Sequence, residues 1–156
     1  MLDKHNSAGT LAHKTRYKMN SSNLVPKAVG SEEFDTVYSD AAQYGRIQFW
    51  DERYSSMPEP FEWYYDYDTF RGVVNDAFPD RDAKIMIAGC GTSHFIEDMN
   101  DDGYTDLVGV DLSRVCIAIM KKRCDNRPGI SFHQGTMQDT DLPMADYDGV
   151  IDKVKH

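Results

Sequence analysis

Two places in this 156-residue chain have residue types and spacing that could do chemistry together. Gly89-Cys90-Gly91-Thr92-Ser93 follows directly on an apolar run, Ile85-Met86-Ile87-Ala88. Asp111 stands twenty residues past Gly91, at the end of a second apolar run, Leu107-Val108-Gly109-Val110. Closely spaced glycines accept positive φ and leave room for a ligand against the backbone. A carboxylate at the end of the next strand can accept hydrogen bonds from both hydroxyls of a ribose. Glycine turn and carboxylate together describe a nucleoside pocket. A dinucleotide site would add a third glycine, as in G-x-G-x-x-G, so that pyrophosphate could rest on a helix N-terminus. Position 94 is His94 instead, which leaves a dehydrogenase a distant reading.

These residues need elements to hold them. The two apolar runs read as buried parallel strands stopped by turns. Thr92 and Ser93 suit a helix N-terminus, and Gly103 suits its end. Ser113 caps a second helix whose apolar face is Val115, Cys116, Ile119 and Met120; Lys121-Lys122-Arg123 favour its negative end. Ile130-Ser131-Phe132-His133 is a third strand, Gly135–Ala145 a loop, and Gly149-Val150-Ile151 a fourth strand. This alternation implies an α/β fold with a parallel sheet and right-handed crossovers. Upstream, a helix is expected from Asp68, with Phe70, Val73, Val74, Ala77 and Phe78 on one face. Ser31-Glu32-Glu33-Phe34 reads as an earlier helix start. The expected organisation is a disordered basic tail over 1–30 and a partial domain over 31–156. That domain divides into a helical, aromatic lid (31–84) and a cofactor-binding half (85–156).

The net charge is −9. Five basic residues and one acid fall in residues 1–30; the other 126 residues carry 12 basic and 25 acidic side chains, a net −13. Such a body repels phosphates, so nucleic acid is not expected as a substrate, whereas a basic protein would be attracted. No run of 18 apolar residues suggests a membrane helix. Cys90, Cys116 and Cys124 form no C-x-x-C pair; reduced cytoplasmic thiols and no metal site are expected. A mitochondrial presequence in the basic tail is the weaker alternative.

The turn G-C-G-T-S resembles motif I of the class I S-adenosylmethionine methyltransferases. Trp50-Asp51-Glu52-Arg53-Tyr54 and Phe61-Glu62-Trp63-Tyr64 resemble the signature before that motif in one eukaryotic group. Its members methylate lysines or the N-terminus of translation elongation factor 1A. Glu97-Asp98-Met99 with Gly103-Tyr104, Asp111-Leu112-Ser113 and Val150-Ile151-Asp152-Lys153 agree in order and spacing, so the resemblance runs from about Tyr44 to Lys153. It implies a Rossmann-like sheet and S-adenosyl-L-methionine as cofactor. Gly89 and Gly91 would lie against the methionine part, Asp111 on the ribose, and Leu112 on the adenine. Met137 and Gln138 would flank the adenine, where the group often has an acid at position 138. Trp50, Arg53 and Trp63 would form a lid, with Arg53 pairing the cofactor carboxylate. Asp152 is the candidate substrate-facing acid, orienting an amine nucleophile. The aromatic residues could equally be packing of N-terminal helices on the sheet, and Asp152 an exposed strand end.

In the group's sheet order, 3-2-1-4-5-7-6, only strands 3, 2, 1 and 4 are accounted for. The chain is therefore expected to be C-terminally truncated, with Val154-Lys155-His156 expected as translated intron. The fourth strand would then be a bare edge with an uncovered apolar patch, inviting self-association. A non-catalytic remnant that binds cofactor weakly, or pairs with another chain, is the alternative to an active methyltransferase. A polyamine synthase shares the expected fold.

Overall fold

A computed structural model describes residues 44–63, 65–136, 142–143 and 146–152. The expected helix start at Ser31, the cofactor candidates Met137 and Gln138, and Lys153–His156 lie outside the described residues. The elements are α1 (Ile47–Ser56), α2 (Tyr67–Ala77), β1 (Lys84–Ala88), α3 (Phe95–Asp101), β2 (Asp106–Asp111), α4 (Arg114–Arg123), β3 (Ile130–Gln134) and β4 (Gly149–Asp152). No helix among the described residues is long and apolar enough to cross a membrane.

The four strands form one parallel sheet in the order β3-β2-β1-β4. β1 and β2 read as continuous apolar runs because they are central and covered on both faces. Ile85, Ile87, Leu107 and Phe132 point into one buried cluster with residues of all four described helices. Met86, Val108, Val110 and Tyr147 form a second cluster on the other face, flanked by Leu142 and Val150. Met86, Val108 and Val110 on this face are 0%, 3% and 1% exposed, whereas Val150 and Ile151 of β4, the edge strand of the described sheet, are half-buried. Tyr147, just ahead of β4, turns its ring onto this face instead of leaving it open.

α2 begins one residue earlier than expected, because Asp66 accepts the backbone N–H of Thr69 and caps it. Its buried stripe is Tyr67 and Val74, with Phe70 and Phe78 at the margin, and Val73 faces solvent. The tyrosine ring reaches the core from the first turn and rotates the stripe away from Val73. On α4, Ile117 is buried in addition to Cys116 and Met120. α4 is capped as expected, with Ser113 accepting from the N–H of Cys116. α3 starts later than expected: His94 is the N-cap residue and makes no side-chain cap bond. Ser93 still serves that end, its hydroxyl accepting from the N–H of Phe95 at 2.9 Å.

α2 is fastened to the sheet by Tyr104, whose hydroxyl donates to the carbonyl of Phe78 at 2.8 Å. Tyr67 donates to Asp102 at 2.7 Å from the opposite direction. The Arg81 guanidinium lies over the Tyr104 ring, 4.2 Å from its centroid. This is a polar, partly buried collar around the end of α3, away from the glycine turn.

Candidate functional site

β1 ends at Ala88, and the chain turns through Gly89 and Gly91 with φ of 62° and 54°. Both angles are left-handed and strain a residue with a side chain. The N–H of Gly91 donates to Asp111 Oδ2 at 3.0 Å, and the N–H of Ser113 donates to Oδ1 at 2.9 Å. The carboxylate at the end of β2 thus holds the turn after β1 and the entry to α4 together. Each oxygen keeps a second lone pair for a ligand hydroxyl. Burial pushes the Asp111 carboxyl above the ordinary carboxylate range; the N–H groups of Ser113 and Gly91 oppose this, and the charge of Asp51 adds to it.

The turn is braced from behind by Arg123 at the end of α4. Its guanidinium donates to the carbonyls of Thr92 (2.8 Å) and Ser93 (2.6 Å) and pairs with buried Glu97 at 2.6 Å. Sequence reasoning saw Arg123 only as a charge near a helix end. The signal available was its place one helix length after Ser113, which returns it to the level of the turn.

The lid residues lie as follows. Asp51 makes polar contacts with the α/β body. Its carboxylate accepts from Ser113 Oγ at 2.6 Å and from the N–H of Val115 at 3.3 Å, and pairs with Arg114 at 3.3 Å. Burial would raise its pKa, but these partners outweigh burial and hold it below the usual value. Glu62 does the same at the other helix: it accepts from Ser93 Oγ and from the N–H of His94 at 2.9 Å. Thr92 adds a bond to the carbonyl of Glu59 at 3.0 Å. Two lid carboxylates therefore sit at the N-termini of α3 and α4, where helix dipoles favour negative charge. Both residues stand inside the blocks W-D-E-R-Y and F-E-W-Y, but their roles as caps of other helices are invisible in one dimension.

Trp50 stacks on Tyr54 at 6.0 Å and meets Trp63 edge-on at 5.9 Å, and its indole N–H donates to the carbonyl of Tyr44 at 2.7 Å. Arg53 donates to the carbonyl of Met57 at 3.2 Å, with its guanidinium 5.4 Å from the centroid of the Phe61 ring. Tyr54 was not among the expected site residues, yet it is the lid side chain against the turn. A methyl group added at Gly91 would lie 3.1 Å from its hydroxyl oxygen. Burial raises its pKa, helped by Asp111, Cys116 and Cys90 nearby. Under this ring Asp111 is 7% exposed.

Leu112 is half-buried beside Asp111, its carbonyl accepting from the Gln134 side chain at 3.2 Å. Asp152 is exposed at the C-terminal end of β4, in register with Ala88 of β1. Gly89, Gly91, Asp111, Leu112 and Asp152 thus share one edge of the sheet, at the C-terminal ends of β1, β2 and β4. An open groove of about 420 Å³ lies elsewhere, along α2 and α3 between Asp66, Asp68, Arg71, Asp98, Asp101 and Asp102. It contains none of the turn residues, so volume does not mark the site; the chemistry does.

The parallel sheet ordered 3-2-1-4, with a glycine turn after its first strand and a carboxylate ending its second, has the strand order of the class I methyltransferase fold. Residues 85–156 match the family model described as a methyltransferase domain. Its relatives are more particular. It is 34% identical over 133 residues to the eEF1A lysine and N-terminal methyltransferase of Bos taurus, covering 84% of this chain and 17% of that protein. It is 31% identical over 133 residues to the Homo sapiens protein of the same name, with the same coverage. It is 29% identical over 113 residues to EEF1A lysine methyltransferase 4 of Mus musculus, covering 71% of this chain and 44% of that one. The chain therefore spans less than half the length of these relatives.

Proposed function

We propose that this chain forms the cofactor-binding part of an S-adenosylmethionine-dependent methyltransferase acting on a protein amine, either a lysine side chain or an N-terminus. The observation that carries the reading is the Gly91 N–H to Asp111 bond. It couples a left-handed glycine turn to a carboxylate that retains lone pairs for two ribose hydroxyls. The residues fit the cofactor: the turn has no side chain where the methionine part would pass, and Asp111 and Leu112 adjoin at the end of β2. When bound, the cofactor supplies an electrophilic methyl group on sulfonium. The protein's task is then alignment and exclusion of water. Asp152, at the end of β4, is placed to orient an amine and offset its developing charge. Tyr54 and Trp50 are the side chains that must shift to admit the cofactor and can then cover it. The names of the relatives support translation elongation factor 1A as the acceptor protein. The acidic body supports a basic acceptor segment and opposes nucleic acid. Cytoplasmic location is part of the same reading, supported by three buried cysteines outside any disulfide.

Calorimetric titration of the full chain with S-adenosylmethionine tests the first half. Saturable binding that Asp111→Ala weakens supports it, and no binding refutes it. Methyl transfer from labelled cofactor to elongation factor 1A tests the second. Binding without transfer would leave the non-catalytic alternative standing in place of the enzyme.

A further inference from the structure

At the glycine turn, three side chains from three elements of the sheet edge converge. The sulfur atoms of Cys90 and Cys116 and a carboxylate oxygen of Asp111 all lie within 4.8 Å of one another. All three residues are buried, at 3%, 0% and 7% exposure. They come from three successive places: the turn after β1, the end of β2 and the first turn of α4. Those places are locked by short bonds, from the N–H of Cys90 to the carbonyl of Val110 (3.0 Å), from Gly91 to Asp111 (3.0 Å) and from Cys116 to Ser113 Oγ (3.1 Å).

We propose that Cys90, Cys116 and Asp111 form a binding site for a thiophilic divalent cation of the zinc and cadmium type. Two thiolates and a carboxylate are a donor set that selects soft or borderline d¹⁰ ions over magnesium or calcium. Two thiolates bound tetrahedrally at a Zn–S distance of about 2.3 Å are roughly 3.8 Å apart, within the span seen here. Charge balance also favours the site. Two thiols and one carboxylate carry a single negative charge. Binding of a divalent cation releases the two thiol protons to solvent and leaves the same net charge, so no further buried charge is created. The bonds that fix the turn and the α4 cap hold the donors in place, as outer-shell contacts do in metal sites. Three protein ligands leave a fourth position, and the way in leads past Tyr54. The site shares Asp111 with the proposed ribose contact, but its test requires no cofactor and so does not rest on the methyltransferase reading.

The experiment is a titration of the full chain with cadmium and then zinc ions, in a non-thiol reductant, following thiolate-to-cadmium charge-transfer absorption. One equivalent should bind with that absorption. Cys90→Ala, Cys116→Val and Cys116→Ser should each weaken binding by more than about 100-fold, beyond the 10–100-fold typical of losing an outer-shell contact. Cys124→Ala should change nothing, because this third buried thiol is outside the cluster. The absorption separates the site from binding by histidines, which give no such band. Thermal melts identify any variant that is not folded, and the two Cys116 substitutions make a shared folding failure improbable as an explanation. Absence of the band, its survival in both Cys116 variants, its loss in Cys124→Ala, or a Cys90–Cys116 disulfide that persists in reductant would each overturn the proposal.

Discussion

The strand-and-turn region, residues 84–134, and the lid, residues 44–63, are built on different terms. In the first, large apolar side chains lock the sheet: Ile85, Met86, Ile87 and Leu107 are all at or below 1% exposure. Each contributes roughly 1.5–3 kcal/mol by burial, and the backbone ladder adds register. In the lid, only Phe49 and Tyr54 of α1 are buried, and Ile47 and Met57 stand half in water. What holds the lid is a few carboxylate and hydroxyl bonds to two helix ends. Bonds of that kind contribute about 1–3 kcal/mol each at most. The site therefore has a rigid floor and a removable cover. The cover is latched by Asp51 and Glu62 at the same helix N-termini that frame the glycine turn.

The largest break in this contrast should come from the floor. Gly91→Val forces a β-branched residue to φ of 54° and drives a side chain toward the Tyr54 hydroxyl. Left-handed strain costs about 1–3 kcal/mol, and overpacking costs about as much again. The variant should lose several degrees of melting temperature and all S-adenosylmethionine binding by calorimetry. A Val variant that melts and binds like the parent would remove the turn from the site.

Asp111→Ala should come next. It removes the acceptor for two backbone N–H groups and for the proposed ribose contact. Cofactor binding should weaken by about 2–4 kcal/mol, the range for charge-assisted bonds, while the sheet survives because its burial is untouched. Equal affinity in parent and variant would show that the pocket is elsewhere.

Asp51→Ala should act on the cover alone. Ser113 Oγ and the N–H of Val115 lose their acceptor, and α1 should lift, at a cost of about 1 kcal/mol, as for a lost cap. Hydrogen exchange should quicken in residues 47–56 while β1 and β2 keep their protection, and Trp50 fluorescence should shift toward that of a solvated indole. If exchange quickens equally in β1, cover and floor are one cooperative unit and the distinction fails.

This contrast also explains what could be read from one dimension. β1, β2 and the turn were legible because continuous apolar runs and left-handed glycines leave a pattern that depends on the backbone alone. Asp111 was legible for the same reason, since the spacing of strand, turn, helix and strand fixes where it falls. The lid was legible only as a set of aromatic residues. Which of them touches the turn depends on how α1 lies across α4, and that is set by Asp51 meeting Ser113, 62 residues away. Arg53, expected to pair with the cofactor carboxylate, donates to the carbonyl of Met57 at its own helix end, while Tyr54, one residue on, faces the glycine. On α2, Tyr67 displaced Val73 from the buried stripe because a ring can reach from the first turn, a matter of side-chain length rather than period. The neighbourhood of Cys90 and Cys116 was invisible, since a helix and a strand lie between the turn and the helix that carries Cys116, and spacing alone does not link them.

The smallest effect is the most diagnostic, because floor and cover should answer acid with opposite signs. Asp51 has a lowered pKa in the folded chain. Its stabilisation is present above the unfolded value of about 3.8 and is lost as pH falls through the lower folded value. Asp111 has a raised pKa. Relative to the unfolded chain its folding contribution is most favourable below about 3.8 and is lost as pH rises through the folded value. Acidification should therefore loosen the lid while easing the charge burial of the floor. Melting temperatures measured from neutral pH down to about 3 should show this by difference. Asp51→Asn should remove part of the stability loss at the acid end. Asp111→Asn should remove part of the loss on the rising side of about pH 4, over the interval up to its folded pKa. Lid exchange rates should follow the first variant and not the second. If both substitutions flatten the same limb of the curve, the two carboxylates titrate as one group, and the cover cannot be released without the floor.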